Sequence, residues 1–319
     1  MRREITTEQP HIDLWIELTS LCNFKCSFCY NEFDKPKINQ NKRKLNAAKL
    51  EEVLRNLSKL RPIDIITLSG GEPLLKKNIH EFLDVAHKFS SNLIIATNGF
   101  LISNLDIAML KRFDELHFQI SIMADNKEDY DSFSKTKNSF EKVIDGICLL
   151  KKHKIKVTFV FVFTPKNHFS LKGVMELAFL LDVKNIIVNE ERISPHKLIS
   201  IPRDLIIERK EFFINKIIEL KPYAVKLGVN LILPTYLPED YNSILEKNNL
   251  AFPKGNKRRL IIDSNGKIKL CGASTISFEN IYNSNYQEIF EKIEHLEDNS
   301  CPCVIEEKIV QSKSENLTY

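Results

Sequence analysis

Between Ile12 and Glu190 the chain alternates two kinds of hydrophobic pattern. Short runs rich in Ile, Val and Phe read as β-strands: Ile12–Leu18, Ile63–Leu68, Asn92–Thr97, Glu115–Ile122, Lys156–Thr164 and Asn185–Asn189. Several are apolar almost without a break, such as Leu93-Ile-Ile-Ala96 and Val157-Thr-Phe-Val-Phe-Val-Phe163. That is the pattern of strands covered on both faces of a parallel sheet. Between them apolar residues recur at helical spacing, in Asn46–Leu60 (Leu50, Val53, Leu54, Leu57, Leu60), Asn78–Phe89, Leu105–Phe113, Phe140–His153 and Leu171–Leu181. Repeated strand-then-helix units predict an α/β fold with a parallel sheet and right-handed crossovers. Six units are too few to close an eight-stranded barrel, so an open, partial (β/α)6 barrel is expected.

After Ile193 the rhythm changes. Pro202 opens a long helical stretch, Arg203–Leu220, and a strand-like run, Asn230–Leu233, follows Gly228. Leu237–Lys257 is polar and turn-rich. Arg259–Asp263, Ser264-Asn-Gly266 and Lys267–Leu270 then read as a hairpin on the Asn-Gly turn signal. A helix at Tyr286–Leu296 leads to Cys301-Pro-Cys303 and a polar tail. The expected organisation is a partial barrel over 1–195, a helical bridging region over 196–257, and a small α+β domain with a tail over 258–319.

Composition narrows the classes without choosing one. The 319 residues are 43% hydrophobic and 28% charged, ordinary for a globular protein. No stretch reaches the ~18 apolar residues of a membrane span, and the first ten residues have no hydrophobic signal segment. No membrane partner is therefore expected. The net charge is +4, with Lys interleaved with Glu and Asp on helical faces, which argues against a nucleic-acid partner. Seven cysteines are an odd number, and six fall in two tight groups. Clustered thiols in such a chain point to metal binding in a reducing, cytoplasmic setting rather than to a disulfide framework.

The first group carries the sharpest signal. Cys22, Cys26 and Cys29 follow the first strand with Cys-x3-Cys-x2-Cys spacing, and Phe28 precedes the last. Iron–sulfur cubanes are normally held by four thiolates; three would leave one iron open to a small molecule. After the second strand comes Ser69-Gly-Gly-Glu-Pro73, where paired glycines allow close backbone approach and a carboxylate can receive an ammonium group. After the third comes Thr97-Asn98-Gly99. A structural zinc site is the plainer alternative for the triplet, with a fourth ligand drawn from Cys271, Cys301 or Cys303.

Taken together, residues 12 to 195 resemble the radical S-adenosylmethionine (radical SAM) core domain. The resemblance implies that Cys22, Cys26 and Cys29 bind a [4Fe–4S] cluster whose open iron chelates S-adenosylmethionine. It places Phe28 against the adenine and makes Gly70, Gly71 and Glu72 the contact to the methionine amino group, with Pro73 shaping the turn. It assigns Ser121 to the cofactor carboxylate or ribose, and Asn98 and Thr164 to further cofactor contacts. Met123-Ala124-Asp125 stands where many relatives carry Asp-Gly. The implied chemistry is reductive cleavage of the sulfonium to a 5′-deoxyadenosyl radical that removes a substrate hydrogen atom, with an external electron donor such as flavodoxin or ferredoxin.

The second group, Cys271, Cys301 and Cys303, resembles a short SPASM or twitch extension, and implies one auxiliary iron–sulfur cluster. Phe252-Pro253 stands where an upstream cysteine is usual. Cys148, in an apolar helical run, reads as a buried core residue, with a hydrogen-atom donor role as the alternative. Glu17 reads as a surface or paired carboxylate, with the barrel interior as the other possibility. His11, His80, His117 and His196 show no ligand spacing. Extensions of this type imply a ribosomally made peptide substrate, matured by crosslinking, epimerisation or oxidation. A small-molecule dehydrogenase or epimerase, for instance on an aminosugar, is the second reading, and a non-catalytic metal-binding protein the third.

Overall fold

The structure is a computed structural model that describes residues 11–29, 45–191, 203–233, 258–269, 280–282, 285–288 and 291. Its centre is one sheet in which six βα units follow one another: β1 (Ile12–Glu17), β2 (Ile63–Ser69), β3 (Asn92–Thr97), β4 (Leu116–Ser121), β5 (Lys156–Phe163) and β6 (Asn185–Glu190), all parallel and in chain order. The helices are α1 (Ala47–Leu60), α2 (Ile79–His87), α3 (Ile107–Leu110), α4 (Lys127–Ser134), α5 (Ser139–Lys152), α6 (Leu171–Leu180) and α7 (Arg203–Leu227). The α/β architecture expected from the alternating patterns is present.

Three additions lie outside the six-unit scheme. β7 (Asn230–Ile232) pairs parallel with β6 at one edge. At the other edge β8 (Arg258–Ile262) pairs parallel with β1, and β9 (Ile268–Lys269) folds back on it, giving nine strands in all. The hairpin read as part of a C-terminal appendage thus extends the barrel's own sheet. Asp263 fixes its turn: its Oδ1 accepts the backbone N–H groups of Asn265 at 2.8 Å and Lys267 at 2.9 Å. Of the helix expected at Tyr286–Leu296, only Tyr286–Glu288 and Glu291 are described, and they are helical.

Alternation along the strands separates two faces. Leu14, Ile16, Ile66, Leu68, Leu93, Ile95, Phe118, Ile120, Phe159, Phe161, Ile186 and Val188 are fully buried and form the layer beneath the helices. Truncating any of the Phe residues among them to Ala would cost about 3–5 kcal/mol. The opposite set, including Trp15, Glu17, Ser69, Gln119, Ser121, Val162 and Asn189, faces the inside of the partial barrel. Strand registers align this set, with Glu17 beside Ser69 and Gln119 beside Thr158. Glu17 is buried, at 7% exposure, which corrects the surface half of its reading as a surface or paired carboxylate.

Sequence periodicity missed α4 and overextended α3. The expected Leu105–Phe113 helix shortens to Ile107–Leu110 because Asp106 caps it late, accepting the Ala108 N–H at 2.9 Å. α4 carries Tyr130 as its one fully buried large side chain and shows little apolar periodicity. It is held by its capping residue Asn126, which accepts the Asp129 N–H at 2.9 Å. Asp131 of α4 then receives the first N–H groups of α5: Asn138 at 2.7 Å, Ser139 at 2.8 Å and Phe140 at 3.1 Å, together with the Ser139 hydroxyl at 2.7 Å. Those bonds hold the Asp131 carboxyl below its ordinary value despite some desolvation. Asp131→Ala leaves these donors without their acceptor, so thermal or urea unfolding should show a loss of about 1–2 kcal/mol.

Candidate functional site

The cysteine loop lies at the carboxyl end of β1, where parallel α/β sheets present their ligand sites. Two sets of backbone hydrogen bonds hold it from opposite sides. On one side the β1–β2 pairing continues past the strand ends: Leu18 N–H donates to Ser69 O, Gly71 N–H to Thr19 O and Glu72 N–H to Leu21 O, each at 2.8 Å. On the other side Lys25 N–H donates to Ser134 O at 3.0 Å and Ser27 N–H to Phe133 O at 3.2 Å, which satisfies carbonyls at the end of α4. Phe24 is buried and meets Phe100 edge-on at 5.7 Å, and Phe28 tilts against Phe133 at 6.4 Å.

This arrangement gives the glycine pair a function the motif alone does not reveal. A Cβ on Gly70 would stand 2.4 Å from Thr19 O, and one on Gly71 only 2.2 Å from Leu21 O. Gly70 also holds a φ of 136°, a region closed to most side chains. The backbone that approaches these glycines is the cysteine loop itself.

Glu72 has no exposed surface, and its carboxylate is fully engaged by the chain. Oε1 accepts from Leu74 N at 2.9 Å and from the Thr97 hydroxyl at 2.7 Å, and Oε2 accepts from Asn98 N at 2.8 Å. Glu72 therefore ties the β2 loop to the β3 loop. Burial pushes its pKa up from 4.5 to about 7, against the three donors, which pull it down. Pro73 is buried at the first position of the 3₁₀ turn that follows. Asn98, 8% exposed, reaches the cysteine loop, donating to Asn23 Oδ1 at 2.8 Å and to Cys22 Sγ at 3.8 Å.

Cys22 and Cys26 are partly buried and Cys29 is exposed. Burial pushes the Cys22 thiol up to about 11, with the Glu72 and Cys29 charges adding to it. Burial, followed by the charges of Cys29 and Cys22, pushes the Cys26 thiol up to about 12. The three thiols feel one another's charge, so ionising them together requires a bound cationic group, as iron or zinc ligation does. Among the described residues no trio of His, Cys, Asp or Glu is gathered to hold a single metal ion. Three soft sulfur donors spread over one loop, beside the buried and unpartnered Asn23 Nδ2, fit an iron–sulfur cluster.

The remaining candidates are placed as follows. Ser121 ends β4 on the inner face, and its carbonyl accepts the Tyr130 hydroxyl at 2.8 Å. Tyr130 is fully buried between this strand end and the cysteine loop; burial, then the charges of Cys26, Asp131 and Glu72, raise its pKa well above the ordinary tyrosine value. Thr164 is buried and turned into its own loop, its N–H and hydroxyl donating to Asn167 Oδ1 at 2.8 and 3.0 Å. Cys148 is exposed on α5, which corrects its reading as a core residue; the fold does not bring it to the cysteine loop. Cys271, Cys301 and Cys303 lie outside the described residues. Asn23 and Tyr130 are not singled out by the sequence, and Thr97 is named there only as part of the Thr97-Asn98-Gly99 motif. That motif is the signal that could have assigned Thr97 a role.

A family model of the radical SAM superfamily matches residues 16–178, just over half of the chain. The chain belongs to the radical SAM superfamily. As a radical SAM enzyme it uses a [4Fe–4S] cluster and S-adenosylmethionine. It is 28% identical over 163 residues to the "Antilisterial bacteriocin subtilosin biosynthesis protein AlbA" of Bacillus subtilis (strain 168), covering 50% of this chain but only 35% of AlbA. It is 28% identical over 269 residues to a "Probable GTP 3′,8-cyclase" of Saccharolobus islandicus, covering 82% of this chain and 83% of that protein. The structure of Streptococcus suis SuiB bound to precursor peptide SuiA superposes with a TM-score of 0.66 at 14% identity, covering 93% of this chain and 69% of SuiB. That likeness is one of fold.

Two outcomes test the site. Gly71→Ala should displace the cysteine loop, which iron and sulfide analysis after reconstitution would record as loss of bound cluster. Glu72→Gln sets an amide N–H₂ against donors and should lower stability by about 1–3 kcal/mol. Because the folded pKa of Glu72 lies above its ordinary value, its contribution is full below pH 4.5 and declines as pH rises through about 7. The stability gap between wild type and Glu72→Gln should therefore narrow over that window in urea titrations.

Proposed function

We propose that this radical SAM enzyme abstracts a hydrogen atom from a ribosomally made peptide, maturing it by crosslinking, epimerisation or oxidation. When bound, the cluster and S-adenosylmethionine supply a reducing electron and a carbon-centred radical. Cys22, Cys26 and Cys29 would hold the cluster. Phe28 would flank the adenine, the Gly70-Gly71-Glu72-Pro73 turn would receive the methionine end, and Ser121 would reach the ribose or carboxylate, with Asn98 and Thr164 shaping the adjoining loops. Cys271, Cys301 and Cys303 would hold one auxiliary iron–sulfur cluster. A cytoplasmic flavodoxin or ferredoxin would deliver the electron. No helix among the described residues is long and apolar enough to cross a membrane.

The observation that carries the peptide reading is the charge of the inner face. Over the C-terminal halves of β1 to β6 that face presents Glu17, Gln119, Ser121, Val162, Ile187 and Asn189 among its residues, with no Lys or Arg at the described positions of those halves, while Arg259 of the neighbouring β8 lies over the Trp15 ring at 5.3 Å. A nucleoside triphosphate would need cations to receive its phosphates. A neutral peptide segment or a cationic group suits the lining better. The relative AlbA, named as a biosynthesis protein of the bacteriocin subtilosin, supports the same reading. A second reading, a small-molecule substrate such as an aminosugar, is supported by the cyclase match, which runs over most of both chains.

Reconstituted anaerobically and reduced with dithionite, the wild type should form 5′-deoxyadenosine from S-adenosylmethionine, and Cys26→Ala should form none. Mass analysis of candidate peptides incubated in deuterated water then separates the outcomes. Solvent deuterium incorporated without other change indicates epimerisation, whereas mass lost indicates crosslinking or oxidation. Turnover of aminosugars or GTP in place of any peptide would remove the peptide reading.

A further inference from the structure

We propose that Asn98 and Asn23 form an amide relay that donates hydrogen bonds to the Cys22 side of the cluster and raises its reduction potential. The inference rests on the assignment of Cys22, Cys26 and Cys29 as cluster ligands and concerns residues that do not themselves bind iron.

The orientation of Asn98 is fixed on three sides. Its backbone N–H donates to Glu72 Oε2 at 2.8 Å, and its Oδ1 accepts the Phe100 N–H at 3.0 Å. Its Nδ2 is thereby left facing the cysteine loop, 2.8 Å from Asn23 Oδ1 and 3.8 Å from Cys22 Sγ. Turning the amide over would place oxygen against Asn23 Oδ1 and N–H₂ against the Phe100 N–H, losing both bonds. Asn23 is oriented in turn. With its Oδ1 occupied by Asn98, its Nδ2 is buried and has no partner among the described residues, between the first two cysteines in sequence. Cys22 Sγ also receives the Phe24 N–H at 3.4 Å.

The physical effect follows from charge. Reduction adds an electron to a cluster that is already rich in negative sulfur. N–H dipoles aimed at that sulfur stabilise the reduced form more than the oxidised one, so each donor raises the potential. Asn98 is almost wholly buried, so water would not readily replace a deleted amide. Asn98 thus acts as a positioning residue. It supplies one donor directly and sets a second through Asn23, which makes the cluster easier for a flavodoxin-type donor to reduce.

The test is an EPR-monitored redox titration of the reconstituted enzyme and of Asn98→Asp, which keeps the oxygen facing Phe100 and removes the donors. Asn98→Ala, which adds no charge, is the second variant. The expected result is a more negative midpoint in both variants at wild-type iron and sulfide content. 5′-Deoxyadenosine formation should fall with flavodoxin as donor and recover with a stronger chemical reductant. Unchanged midpoints in cluster-loaded variants would overturn the proposal, as would failure of both variants to hold a cluster, which marks a purely structural role. A wild type without a reducible cluster would refute the ligand assignment itself, and the relay with it.

Discussion

The site depends on one short backbone ladder. Three hydrogen bonds at 2.8 Å carry the β1–β2 pairing beyond the strands and hold residues 18 to 21 against residues 69 to 72. The contact is possible only because two successive positions lack a Cβ. Every other element of the site is set from it. The cysteine loop begins where the ladder ends, Glu72 leaves it already buried, and the Glu72 carboxylate then fixes Thr97 and Asn98. The conformational freedom of three loops is thus removed by groups that belong to the loops themselves.

The same geometry divides the labour among the thiols. Cys22 faces the β3 loop and receives protein donors, whereas Cys29 is exposed. Cys26 lies between them, partly buried, its thiol pushed up to about 12 by that burial. A bound group held by these three would sit in an environment graded from dry and amide-lined to open. The helix end that supports the loop from the far side, Phe133 and Ser134, belongs to α4, which also orders the start of α5 through Asp131. Ligand loop, buried tyrosine and barrel wall therefore share one support.

Much of this was legible from residue pattern. The alternation of β-type and helical runs specified the sheet, because parallel strands buried on one face and lining a barrel on the other leave few polar positions, and the cysteine triplet and Gly-Gly-Glu turn announced the chemistry. What stayed hidden has physical causes. α4 is held by Asn126, Asp131 and a single buried Tyr130 rather than by an apolar stripe, so no period reveals it. Cys148 sits in an apolar run, but its phase on α5 points it outward, and one residue of phase decides burial. The glycines read as a surface for a ligand, because sequence cannot tell which backbone will lie against them. Asn23 reads as a spacer between ligands until Asn98 is seen beside it.

The placement of β8 beside β1 has a consequence for how the chain is made. The strand that leads into the cysteine loop, Ile12–Glu17, gains its second neighbour from residues 258 to 262, far later in the chain. While the ribosome still holds that segment, β1 is a parallel edge without its second neighbour, with Ile12, Leu14 and Ile16 on one face, the kind of surface that other chains can join. A group taken up by the cysteine loop before residues 258 to 262 emerge would lie beside a seam that is still open.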